Sequence, residues 1–166
     1  IYERMRILGH SELPIPNIQL QQFYGIEIDE YACDTATLSL WLAEHQMNVK
    51  FNKRLGFQPN ALPLRPSGNI VCGNACRLDW NTVCPHTPEE EVYVMGNPPY
   101  VGSRNQNESQ KNDVDHVLCE IKQSRKLDYI SIWFYKGVKY LDSFQNIRLA
   151  FVSTSSITQG EQVPIL

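Results

Sequence analysis

The sequence of 166 residues has no apolar run approaching the ~20 residues of a membrane-crossing helix. The longest such stretch, Tyr129 to Tyr135, is interrupted by Ser131. No basic segment leads into an apolar one at its start, the pattern of a secretion signal. There is no C-x-x-C pair, and the five cysteines (Cys33, Cys72, Cys76, Cys84, Cys119) are odd in number. Reduced thiols in a cytoplasmic protein are therefore expected. Positive charge is also short: 15 Lys and Arg stand against 18 Asp and Glu, for a net charge of −3. A domain that grips DNA alone is usually basic, because phosphate neutralisation supplies most non-specific affinity. Any nucleic-acid role must then borrow contacts from elsewhere in a longer protein. Internal repeats and low-complexity tracts are missing. Hydrophobic residues at 42% and charged residues at 20% exclude a disordered tail and a collagen-like chain. The length suits one domain, residues 1–166. A start at Ile1 and an end at Val163-Pro164-Ile165-Leu166 predict a fragment of something longer.

What is present alternates strands with helices. Ile1 to Leu8 reads as the end of a helix stopped by Gly9, and Leu13 to Asn17 as a proline loop. Phe23 to Ile28 predicts a strand buried on both faces, as in a parallel sheet. Asp29 can cap a following helix, on which Ala32, Ala36, Leu40, Ala43 and Met47 form one stripe. Lys50 to Ser67, with three prolines, reads as a loop. Asn69 to Cys72 and Val92 to Met95 predict the next strands, and Ile147 to Val152 a fourth. The polar stretch Val101 to Asp115 predicts a long mobile loop. Within it, Ser103 to Asp113 reads equally as a lid or as an unstructured linker. Leu127, Ile130, Phe134, Val138 and Leu141 mark a second amphipathic helix. This order predicts an α/β fold with a mostly parallel sheet and flanking helices.

In such sheets ligands sit beyond the carboxyl ends of the strands. Nearly every residue with chemistry to offer falls at one of those ends. Glu27 closes the first strand, where a carboxylate can accept from both hydroxyls of a ribose. The competing reading is a charge favoured by the helix dipole, which Asp29 and Glu30 satisfy better. Asn74, after Gly73, could donate to and accept from an adenine edge, or be an ordinary turn asparagine. Asn97-Pro98-Pro99-Tyr100 follows Gly96. Two prolines stiffen that loop and remove two donors. It presents two acceptors, the Asn97 side-chain oxygen and the Pro98 carbonyl, to the two hydrogens of an exocyclic amine. Tyr100 offers a face on which a flipped base can stack.

Asn97-Pro98-Pro99-Tyr100 after an apolar strand resembles the catalytic motif of the amino-group DNA methyltransferases, its Asn form pointing to N6 of adenine. Gly25-Ile26-Glu27-Ile28-Asp29 resembles the family's second cofactor motif, which implies Glu27 on the ribose and Ile28 against the adenine of S-adenosylmethionine. Gly73-Asn74-Ala75 with Asp79-Trp80 resembles the third, which implies Asn74 and Ala75 at that same adenine. Leu127-Asp128-Tyr129 and Ala150 to Ile157 are similar to the segments that wall the target-base pocket. Thr158 to Gln162 resembles the MmeI-like branch of type IIG–IIL restriction–modification enzymes, large single chains with nuclease, methyltransferase and target-recognition domains. The resemblance covers nearly the whole chain. It implies a partial Rossmann-like S-adenosylmethionine-dependent methyltransferase fold, acting on a base flipped from double-stranded DNA. The family's first strand and Gly-rich cofactor turn have no counterpart here, nor has the target-recognition domain. The fragment alone is therefore expected to bind cofactor poorly and to turn over nothing.

Rival readings stand beside this one. Asp113 or Asp115 with Glu120-Ile121-Lys122 loosely matches a nuclease metal site, though such groups belong on paired strands. Cys72, Cys76, Cys84 and His86 are irregularly spaced for zinc, so packing is preferred and no metal is expected. A non-catalytic nucleotide-binding module would use Glu27 and Asn74 but leave the Asn97 loop without a task. N4 of cytosine, RNA or a protein amide could also be the methyl acceptor.

Overall fold

The computed structural model describes residues 18–56, 68–141 and 146–165. The helix end expected at Ile1 to Leu8, the loop Leu13 to Asn17 and most of the proline-rich stretch lie outside them. The chain forms two compact units, residues 1–72 and 73–166.

In the first unit, strand β1 (Tyr24–Glu27) pairs in parallel with β2 (Asn69–Cys72), with Tyr24 opposite Asn69 and Glu27 opposite Cys72. Between them runs helix α1 (Glu30–Leu55), 26 residues long. Asp29 caps it as expected, accepting from the Ala32 N–H at 2.9 Å. Gly56 ends it in the left-handed region at φ 68°, where a side chain would be strained. The helix therefore persists six residues, Lys50 to Leu55, into the stretch expected to be loop. The strands are not buried on both faces: Tyr24 and Glu27 are exposed, and so are Asn69 and Cys72. The helical stripe also fails halfway. Ala32, Ala36 and Leu40 are sheltered, but Ala43 and Met47 are exposed. Length explains this. Strands of four residues extend about 13 Å, whereas a helix of this length extends about 39 Å, so its second half overruns the sheet.

In the second unit, β3 (Val92–Gly96) pairs in parallel with β4 (Ile147–Phe151), with Gly96 opposite Phe151. A one-turn helix α2 (Trp80–Val83), helix α3 (Glu108–Val117) and helix α4 (Ser131–Leu141) complete it, with short 3-10 turns between. Parallel strands are thus present in both units, as an α/β fold requires.

Helix α3 corrects the long mobile loop read from the sequence. Asn107 accepts from the Gln110 N–H at 2.9 Å, while the Gln110 side chain accepts from the Asn107 N–H at 3.0 Å. That reciprocal box starts the helix despite its polarity. The helix needs only a narrow apolar edge, because Val114 and, just past its end, Leu118 are fully buried. Ser103 to Asp113 is accordingly a 3-10 turn followed by this helix, not an unstructured linker.

Helix α4 starts at Ser131, later than the expected stripe, and Val138 points outward while Gly137 is buried. A Cβ at Gly137 would lie 2.5 Å from Leu149 Cδ1, so any larger residue there would require the Leu149 side chain to shift. The core gathers Cys76, Val114, Leu118, Leu127, Tyr129 and Ile132, with Val101 packed against it. Burying a leucine or isoleucine here contributes about 1.5–3 kcal/mol each. No helix among the described residues is long and apolar enough to cross a membrane.

Candidate active site

Glu27 ends β1 in the first unit. Its Oε1 accepts from the adjacent Ile28 N–H at 3.0 Å, and its side chain is otherwise exposed. The capping of α1 falls to Asp29, so the Glu27 carboxylate is left for another partner. Its backbone carbonyl is taken by the Cys33 thiol at 3.5 Å. Ile28 is 69% exposed, an uncovered apolar side chain directly beside the carboxylate. Burial pushes the Cys33 thiol up to about 11, with the neighbouring Cys72 adding to the rise.

In the second unit the residues after β2 form a tightly tied turn. Asn74 Oδ1 accepts from the Cys76 N–H at 2.8 Å, and its backbone carbonyl accepts from the N–H groups of Arg77 and Leu78. Lys136 on α4 donates to the carbonyls of Ala75, Cys76 and Leu78 at 2.8, 3.1 and 2.5 Å. Its ammonium also lies 5.5 Å from the Trp80 ring centre. Burial lowers the Lys136 pKa from the usual lysine range. The Trp80 indole N–H donates to the Ala75 carbonyl at 3.0 Å.

Below this turn sits a buried carboxylate. Asp113 on α3 accepts from Asn74 Nδ2 at 3.0 Å, from Arg77 Nε at 2.6 Å and from the Tyr129 hydroxyl at 2.8 Å. Burial alone would raise its pKa, but these three donors outweigh it and hold the carboxyl below the usual range.

The Asn97 loop is anchored at both ends. Gly96 accepts from the Val152 N–H at 3.0 Å, extending the pairing of β3 with β4. Beyond Tyr100, the Val101 carbonyl accepts from the Tyr129 N–H at 3.0 Å and from Gln106 Nε2 at 3.2 Å. Pro98 is buried, whereas Asn97 and Pro99 are exposed and Tyr100 is 48% exposed. Among the described residues neither the Asn97 side-chain amide nor the Pro98 carbonyl has a hydrogen-bond partner. A loop held at both ends and stiffened by prolines thus keeps its two acceptors uncommitted.

Two further stretches come together beside it. Gln162 Oε1 accepts from the Asp128 N–H at 2.9 Å, while Gln162 Nε2 donates to the Ser156 carbonyl at 3.1 Å. Ser156 Oγ lies 3.5 Å from Asp128 Oδ2. Leu127-Asp128-Tyr129 and the segment after β4 therefore form one bonded wall, joined to the Asn97 loop through the Val101–Tyr129 bond.

Sequence reasoning missed the braces. Gln106, 5% exposed, donates from one amide nitrogen to the carbonyls of both Val101 and Leu127. Glutamines that span two carbonyls leave no pattern in a single sequence. The Asn107–Gln110 box was the one legible signal that a folded element begins just after Gln106. Replacing Gln106 with leucine is expected to cost about 1–3 kcal/mol, because the Leu127 carbonyl loses its donor and the Val101 carbonyl keeps only that of Tyr129. Denaturant unfolding measures that loss, and an unchanged midpoint would rule out the brace.

The nuclease arrangement does not form. Asp113 is enclosed as described, Asp115 pairs with Arg125, and Glu120 accepts from Tyr135. Glu120 to Lys122 follows a helix rather than lying on paired strands. Cys76 and His86 go to different tyrosines: the Cys76 thiol lies 3.4 Å from the Tyr129 hydroxyl, and His86 Nδ1 lies 3.0 Å from that of Tyr140. Among the described residues no three His, Cys, Asp or Glu side chains gather as metal ligands would.

Comparison with known proteins bears on this arrangement directly. The model of the MmeI DNA-methyltransferase domain matches residues 2–166. DNA methyltransferase A of Bacillus subtilis (strain 168) is 50% identical over 168 residues, covering 100% of this chain and 19% of that protein. The structure of the type IIL restriction–modification enzyme MmeI in complex with DNA is 40% identical, with a TM-score of 0.83 over 95% of this chain and 21% of MmeI. The chain thus spans about a fifth of the length of either relative. Its α/β fold is that of the MmeI methyltransferase domain, a partial Rossmann-like arrangement. With a match running from residue 2 to the last residue and half its residues shared with a methyltransferase, the chain belongs to the MmeI DNA-methyltransferase domain family.

Proposed function

We propose that the protein carrying this chain methylates N6 of adenine in double-stranded DNA, with S-adenosylmethionine as donor, within a restriction–modification system of the prokaryotic cytoplasm. The observation that carries this reading is the pair of uncommitted acceptors, Asn97 Oδ1 and the Pro98 carbonyl, on a loop anchored at both ends. An exocyclic amine brings two hydrogens, one for each acceptor. Held this way, its nitrogen lone pair turns away from conjugation with the ring and toward an electrophile. Tyr100, half exposed at the end of the loop, stacks on the extruded base. Catalysis by these residues is positioning and electrostatics, with no covalent enzyme intermediate.

The residues present suit the donor. The exposed Glu27 carboxylate can take both hydroxyls of a ribose, and Ile28 beside it offers apolar surface to a purine. Asn74 and Ala75 sit at the turn after β2, where the resemblance assigns the same purine. When bound, the sulfonium supplies an electrophilic methyl group and leaves as a neutral thioether. DNA gripping and site selection belong to parts of the protein outside these 166 residues, consistent with the net charge of −3.

The test is nucleoside analysis of DNA after incubation of the intact protein with isotopically methyl-labelled S-adenosylmethionine. Label in N6-methyl-2′-deoxyadenosine is expected. Label in N4-methyl-2′-deoxycytidine would move the reaction to the other exocyclic amine, and label only in RNA or protein would overturn the DNA assignment. Cofactor binding without any transfer would favour a non-catalytic nucleotide-binding module.

A further inference from the structure

We propose that Asp113 is a positioning residue: it fixes which way round the Asn74 amide sits, and thereby makes that amide selective for an adenine edge. The proposal rests on the reading that Asn74 meets the purine of the cofactor.

A primary amide is nearly symmetric in shape but opposite in function at its two ends. Rotating it by half a turn exchanges two donors for two lone pairs. An asparagine on a turn can do this freely unless something distinguishes its ends. Here both ends are distinguished. Oδ1 faces the Cys76 N–H at 2.8 Å, and Nδ2 faces Asp113 Oδ2 at 3.0 Å. In the reversed orientation an amide oxygen would face a carboxylate oxygen, and an NH2 group would face an N–H. Both contacts would then repel. The carboxylate itself is held in place, because Arg77 Nε and the Tyr129 hydroxyl occupy its other positions. Asp113 is 3% exposed, so water does not blur the choice.

The internal bonds use one N–H and one lone pair of the Asn74 amide. One of each remains, at fixed ends. An adenine edge presents the complementary pair, a donor at N6 and an acceptor at N1. Hypoxanthine presents the reverse, an acceptor at O6 and a donor at N1. A freely rotating amide would serve both purines, whereas a fixed one serves adenine and rejects hypoxanthine. An asparagine at position 113 could itself rotate and would no longer repel a turned Asn74 amide, leaving only the Cys76 N–H to distinguish its ends, so the choice would be weakened.

The experiment compares binding of S-adenosylhomocysteine and S-inosylhomocysteine to the intact protein by calorimetry, with thermal unfolding recorded on the same samples. The unchanged protein is expected to prefer the adenine compound by roughly tenfold or more. Asp113→Asn is expected to narrow that preference several-fold, chiefly by improving the hypoxanthine compound relative to the adenine one. If that variant does not fold, Asp113→Ser, which leaves room for a water, is read in the same way. A preference that survives in the folded variant, with both affinities falling in proportion, would make Asp113 merely structural and overturn the proposal. Equal affinities in the unchanged protein would instead overturn the placement of Asn74 at the purine, whatever the variants do.

Discussion

Replacing Asn97 with alanine in the intact protein is expected to lower the rate of methyl transfer by about 10²–10³-fold, the range seen when one preorganised polar contact to a reacting group is removed. Cofactor affinity is expected to stay within about twofold, since the lost contact is one made to the amine as it reacts. Folding is expected to survive, because Asn97 is exposed and its amide has no hydrogen-bond partner among the described residues. The neighbouring anchors, Gly96 on Val152 and Val101 on Tyr129, do not involve its side chain. The measurement pairs single-turnover methyl transfer with calorimetric titration of S-adenosylhomocysteine. A parallel collapse of cofactor affinity would put Asn97 in the wrong pocket and remove the central support for amine methylation.

Glu27→Ala is expected to weaken cofactor binding on the order of 10²-fold, because two hydroxyls each lose a charged acceptor worth about 1.5–3 kcal/mol, less the cost of partial rehydration. Glu27→Gln is expected to fall in between, since its amide keeps one oxygen but loses the charge. Thermal stability should barely move, as the carboxylate is exposed and its described hydrogen bond is to the N–H of the next residue. The same titration reads the result. Unaltered affinity in Glu27→Ala would reduce this residue to a surface charge near the start of α1.

Short apolar runs made all four strands among the described residues legible, to within a residue at each end. They are legible because a short apolar run bounded by turn residues suits a strand even where part of it faces solvent. The helices were less readable, since their exposure depends on what lies opposite. Ala43 and Met47 continue the α1 stripe in sequence, yet they fall beyond the reach of four-residue strands. Helix α3 is polar almost throughout and holds its place through Val114 and a capping box, so its composition reads as loop. The Asn97 loop was visible because two adjacent prolines constrain the backbone locally. Its supports were not, because Gln106, Gln162 and Asp113 act through partners 5 to 39 residues away. Asn74 shows the gap most clearly. Spacing left it between turn residue and ligand, and the folded chain uses its amide for the turn while leaving half of that amide's bonding capacity over.

The three carbonyls gathered by Lys136 belong to residues that precede it by 58 to 61 positions. During synthesis on a ribosome, that bend therefore emerges well before its tether does. Until α4 arrives, the segment bearing Asn74 has only its own short-range bonds to hold its shape. Competence to recognise a nucleoside would thus be among the last properties this stretch of nascent polypeptide acquires.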